Sequence, residues 1–163
     1  MKPLFSLLTI LLLFSFQALG HAEHDKPRYV AHDGVDQGLC EHIDSPCRTI
    51  GYAASKSNKG DKILVAKGQY AVTEVDDLFY VTSKLVPVYG GYSRDEGYKR
   101  ADREEHPTFL TGIPKEYAPG LTQAGFTVIV DTKSTSSAKS KELKARLRSF
   151  SQLAEFQNDT ECI

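Results

Sequence analysis

The residues of this chain that could do chemistry are few: three cysteines, five histidines and a scatter of carboxylates and tyrosines. Cys40 and Cys47 bracket the loop EHIDSP, which Pro46 stiffens. In an oxidising compartment such a pair closes a small disulfide loop, worth roughly 2–3 kcal/mol by chain-entropy arithmetic. No Cys-x-x-Cys redox motif accompanies it. The odd thiol, Cys162, stands next to last and is expected to be free, to bond between chains, or to meet a cysteine in a longer polypeptide. His21 and His24 sit beside Glu23 and Asp25, but a terminal copper site needs a second, spatially fixed histidine, so the segment reads as a solvated exit. Asp33 and Asp36, within His32–Gly38, lack the alternating carboxylates and terminal Glu of a calcium loop. They read as turn residues. No metal and no cofactor is assigned.

What would position these groups is a recurrence. Ile63–Tyr70 (ILVAKGQY), Leu85–Tyr92 (LVPVYGGY) and Pro107–Pro114 (PTFLTGIP) follow at 22-residue steps, with Gly68, Gly90 and Gly112 in phase behind each apolar run. A fixed period in the twenties marks a solenoid, whose turns bury their apolar faces only by stacking. The spacing therefore predicts a stack of β-coils over residues 28–133. Ile63, Leu85 and Pro107 would form one column, and Val65, Pro87 and Phe109 another.

Further elements follow from local pattern. Arg28–Ala31 reads as a short strand. Ser45 and Pro46 suit the start of a helix in which Cys47, Ile50, Gly51 and Ala54 share a narrow face, and Asn58-Lys59-Gly60 stops it. That helix is expected to cap the open edge of the stack beginning at Lys62. Ala71–Ser83 and Ser93–His106 read as connectors, the second a solvated loop of mixed charge. Phe126–Asp131 is a candidate fourth coil. Beyond a Ser/Thr/Lys linker, Lys141–Gln157 is amphipathic, with Leu143, Leu147, Phe150 and Ala154 on one face. It would close the far end of the stack or engage another chain, and Asn158-Asp159-Thr160 forms a glycosylation sequon.

Stacked in register, the repeats offer little for catalysis. Lys62, Lys84 and His106 make a cationic column, while Asp61, Ser83 and Glu105 supply two acids separated by a whole coil. Roughly 10 Å between their backbones is too far for one calcium ion. There is no Ser-His-Asp pattern and no phosphate-cradling glycine loop. A non-enzymatic protein follows. The rival is a carbohydrate-binding or polysaccharide-degrading protein, with Tyr29, Tyr70, Tyr80, Tyr89 and Tyr92 as candidate sugar-stacking residues.

The amino terminus addresses the chain outward. Lys2 precedes the apolar run Leu4–Phe16, and small residues place a cleavage point after Gly20 or after Ala22, so residues 1–22 read as a signal peptide. No other apolar run approaches the ~20 residues a membrane span requires. A net charge of −1 gives no global attraction to nucleic acid.

Tyr29-Val30-Ala31, Asp33-Gly34, Pro46–Ile50, Ala53 and Gly60–Tyr70 together resemble the opening of secreted right-handed parallel β-helix (pectin-lyase-like) proteins. Tyr89-Gly90-Gly91-Tyr92, Arg103 and His106–Gly112 are similar to their next landmark, so the resemblance covers about residues 28–114. The Cys40/Cys47 pair and Gly125–Lys133 more narrowly resemble the N-terminal region of choice-of-anchor B family proteins, bacterial surface or secreted proteins in which a larger repeat region follows. The resemblance implies a mainly β fold, a short right-handed parallel β-helix of about three to four coils, to which the local pattern adds an N-terminal capping helix and, in residues 134–163, a linker and the C-terminal amphipathic helix. It implies a structural or interaction role at the bacterial cell envelope or outside the cell, with no catalytic residues to transfer. A protein partner, or a C-terminal region beyond Ile163, would cap the stack, and a glycan is a further candidate ligand.

Overall fold

The computed structural model of the chain describes residues 26–72, 74–130 and 137–158. Residues 1–22, expected to be a signal peptide, and His24, Thr160 and Cys162 lie outside them. Two three-stranded sheets, both wholly parallel, organise the fold. In the first, β1 (Pro27–Val30), β2 (Lys62–Ala66) and β4 (Val88–Tyr92) lie in the order β1-β2-β4. The second contains β3 (Gly68–Ala71), β5 (Thr108–Thr111) and β6 (Phe126–Ile129), ordered β3-β5-β6. Central β2 reads KILVA, and its last four residues are all buried, as befits a parallel strand covered on both faces.

Among the described residues, four helices pack around these sheets. Helix α1 (Ile50–Ser55) starts at Thr49, whose Oγ1 accepts a 3.2 Å hydrogen bond from the Tyr52 amide. Helix α2 (Val75–Ser83) carries Asp76 and Asp77 in its first turn, where the helix dipole favours anions. A 3-10 turn (Lys115–Tyr117) leads into α3 (Ala118–Gln123), and α4 (Ser137–Asn158) ends the described chain. The principal core gathers Val30, Ile63, Val65 and Val88 from the first sheet with Leu110 and Phe126 from the second. Leu78 and Phe79 of α2 and Leu143 of α4 complete it. A smaller core of Ala31, Leu64, Ala66 and Tyr98 covers the other side of the first sheet.

This architecture overturns the β-helix reading. The fold is a mixed α/β arrangement of short parallel strands and helices, not a mainly β solenoid. The 22-residue phase fails at the level of register. Ile63 pairs with Val88 rather than Leu85, and the half-exposed Leu85 and Val86 precede β4. Pro87 stays just outside the strand, contributing its carbonyl to the Ile63 amide at 2.8 Å. A proline has no ladder donor to offer within the strand. The third repeat changes sheet altogether, because β5 pairs with β3. Consequently the three glycines do not stack: Gly68 opens β3 opposite Thr108, Gly90 lies inside β4 in the other sheet, and Gly112 follows β5.

The cap of α1 is Thr49, not Ser45, and Cys47 lies outside the helix. Helix α1 does not lid the edge of β2, since β1 pairs there from Pro27↔Lys62 to Val30↔Val65. Its small-residue face meets α2 instead, and a side chain at Gly51 would collide with Asp77. Ala71–Ser83, read as a connector, contains α2. Helix α4 packs on α2, where Phe150 lies 4.8 Å from Phe79 between ring centroids, Arg146 pairs with Asp76, and Arg146 lies over the Phe79 ring.

Candidate functional site

The most heavily braced surface feature is the loop between β1 and α1. Its two cysteines form a disulfide, with Cα atoms 5.3 Å apart. Both cysteines also hydrogen-bond to the outer edge of β1. The Tyr29 amide donates to the Cys40 carbonyl at 2.7 Å, the Cys47 amide to the Tyr29 carbonyl at 2.9 Å, and the Ala31 amide to the Cys47 carbonyl at 2.9 Å. An edge strand that would otherwise offer unpaired backbone groups is thus covered by the loop itself.

Charged residues hold the loop from beneath and from the sides. Arg28, 1% exposed, donates from Nη1 to the Leu39 carbonyl (2.7 Å) and to Glu41 Oε1 (2.9 Å). Its Nε and Nη2 both reach Asp61 Oδ2, at 3.1 and 2.6 Å. Asp61 also accepts from the Asn58 and Lys26 amides. Burial by itself would raise the Asp61 carboxyl. The Asn58 amide, the Arg28 hydrogen bonds and charge, and the Lys26 amide together hold it below the ordinary carboxylate value. Asp36 receives the Arg48 and Thr49 amides at 2.8 and 2.9 Å and the Thr49 hydroxyl at 2.9 Å. Arg94, from the loop between β4 and β5, pairs with Asp33 at 2.7 Å and donates to the Asp44 carbonyl at 3.0 Å. Asp33 and Asp36 therefore serve as struts of the loop.

Against that rigid frame the loop displays apolar side chains. Val35 is 64% exposed, Leu39 56% and Ile43 38%. Val35 and Leu39 line a groove of about 480 Å³ together with Glu41, His42, Asp44 and Arg94. The arrangement has the parts of a recognition surface: aliphatic contact area, both signs of charge, and a backbone already fixed in one conformation.

The remaining sequence-selected residues do not assemble. Lys62 opens β2, Lys84 ends α2 in a left-handed conformation (φ 58°), and His106 is buried ahead of β5, so no cationic column forms. Tyr70 is buried, donating its hydroxyl to the Ala66 carbonyl at 3.0 Å. Tyr29 and Tyr92 pack around Tyr98, with ring centroids 4.8 and 6.4 Å away. Tyr80 packs against Phe79, and Tyr89 is exposed. The five tyrosines offer no shared stacking platform. A separate cleft of about 270 Å³ is lined by His32, Arg48, Gln69, Tyr70 and Asp77 among others. Sequence reasoning missed the role of Tyr98, whose hydroxyl donates to the Val30 carbonyl at 3.1 Å and whose ring seals the second core. It also missed the convergence of Glu96, Glu105 and His106. Among the described residues, no helix is long and apolar enough to cross a membrane. Comparison with family models, curated proteins and solved structures finds no match to this chain.

Proposed function

We propose that this chain is an exported, non-catalytic interaction module that works at the bacterial cell envelope or outside the cell, and that the disulfide-braced loop between β1 and α1 is its contact surface. The leader-like segment at residues 1–22 supports export, as does a disulfide, which persists in oxidising compartments. The observation that carries the reading is the pairing of exposed Val35 and Leu39 with an immobilised backbone. Ordering a loop costs free energy, and a loop ordered before encounter brings that much less cost to binding. The resemblance of the Cys40/Cys47 pair and Gly125–Lys133 to choice-of-anchor B family proteins favours the envelope setting. Whether the module fronts a larger surface protein belongs to the same proposal.

A carbohydrate ligand is the second reading, favoured by the polar cleft around His32, Arg48, Gln69 and Asp77. It is the weaker one, because the tyrosines that would stack on sugar rings are mostly in the two cores. The test is saturable binding of labelled mature protein to envelope preparations of the producing cell. The double variant V35S/L39S should lose about tenfold or more of that binding, as hot-spot truncation does, while melting at the wild-type temperature. Unchanged binding by the variant would move the contact elsewhere, and turnover of a polyuronate by the wild type would end the non-catalytic reading.

A further inference from the structure

We infer that Glu96, Glu105 and His106 form a binding site for a divalent transition-metal ion. One ligand atom from each lies within 4.8 Å of the other two. His106 is 4% exposed, and its Nε2 stands 3.2 Å from Glu96 Oε1, so the ring presents that edge to the carboxylates. Its Nδ1 is buried without a hydrogen-bond partner in the protein. Two carboxylates drawn to one imidazole repel each other, unless a cation joins them.

The backbone here is built to hold the three groups together. The Asp102 carboxylate accepts the Glu104 and Glu105 amides at 3.0 and 3.1 Å, and the Asp102 carbonyl accepts the His106 amide at 2.8 Å. This turn sets Glu105 and His106 side by side at the mouth of β5. Glu96 arrives from a second turn, closed by the Gly97 amide on the Arg94 carbonyl at 2.9 Å. Ligand atoms around a tetrahedral ion at ~2.0–2.2 Å are about 3.3 Å apart. Both glutamates are exposed, so small rotamer changes bring their oxygens to that spacing around a fixed imidazole.

The donor set decides the class of ion. One imidazole nitrogen with two carboxylates suits zinc, manganese or iron, whereas calcium and magnesium take oxygen throughout. Three protein ligands leave a coordination position for water.

Zinc titrated calorimetrically into chelator-treated mature protein should bind one ion per chain. E96Q and E105Q should each weaken binding about 100-fold or more, since even the outer partners of metal ligands contribute 10–100-fold. E105Q is decisive, because a plain Glu96–His106 hydrogen bond does not involve Glu105. Both glutamates are exposed, so the apo variants should melt as the wild type does, and millimolar calcium should not displace zinc. Paramagnetic cobalt should broaden amide resonances around residues 94–107. Equal zinc affinity in E105Q, displacement by calcium, or broadening centred on other histidines would overturn the site.

Discussion

Arg28 and Asp61 show how single residues hold the disulfide-closed loop in place. The guanidinium joins a loop carbonyl, the one-quarter-exposed Glu41 and the buried Asp61, so one side chain ties β1, the disulfide loop and the entry to β2 together. Breaking a buried pair leaves an uncompensated charge, which is why loss of one partner costs much more than the pair contributes. We expect D61N to destabilise the protein by about 3 kcal/mol at neutral pH, the low end of the range because Glu41 and the Leu39 carbonyl remain. The sign with pH follows from the depressed folded-state pKa of Asp61. The stabilisation is complete above the unfolded value near ~3.9 and is lost as pH falls through the lower folded value. Urea unfolding of wild type and D61N should therefore differ most at neutral pH and converge below about pH 4. A gap that persists undiminished into strong acid would remove Asp61 ionisation from the account. At this scale the sequence was partly readable. Cys40 and Cys47 could be paired from spacing and compartment alone. The partners of Arg28 could not, since Leu39, Glu41 and Asp61 approach it only after β1 has docked beside β2.

At the scale of elements, close approach rather than propensity fixes the loop between β1 and α1. A Cβ at Gly34 would lie 2.5 Å from the carbonyl oxygens of Pro46 and Cys47, both rigid backbone atoms beside the disulfide. Gly38 faces the opposite situation, with a left-handed backbone (φ +66°) and open space around it. G34A should therefore cost more than about 2 kcal/mol by displacing backbone. G38A should cost only about 1 kcal/mol, the conformational penalty of a left-handed alanine. Thermal melts of the two variants rank the effects, and equal shifts would mean the loop relaxes around Gly34. The strands themselves were legible as apolar runs between turn residues, and α4 as an amphipathic stretch. Their partners were not, because Ile63-Leu64-Val65-Ala66 satisfies the same apolar pattern whether its neighbour starts at Leu85 or Val88. Helix α2 left a signal that the repeat obscured: Glu74, Asp76 and Asp77 ahead of Leu78, Phe79 and Val81 are an acidic first turn followed by an apolar face.

For the whole molecule, the question is what α4 does. The sequence allowed a helix that closes the end of a stack or one that joins another chain, and the coordinates place it against α2 with Leu143 completely buried. Leu143 belongs to the same core as Val30 of β1 and Phe126 of β6, so the layers are coupled through one apolar cluster. Removing a fully buried leucine side chain costs its transfer free energy plus that of the cavity it leaves, about 2–5 kcal/mol. L143A should lower the denaturant midpoint accordingly, with far- and near-ultraviolet circular dichroism falling together as in a single cooperative unit. The exposed helix surface supplies the control, since K144A removes only an exposed pairing with Glu116 at 3.6 Å and should change stability by less than about 1 kcal/mol. If L143A left the midpoint unmoved, α4 would be away from the core in solution and free to engage another chain. The coupling of Leu143 to both sheets requires the opposite.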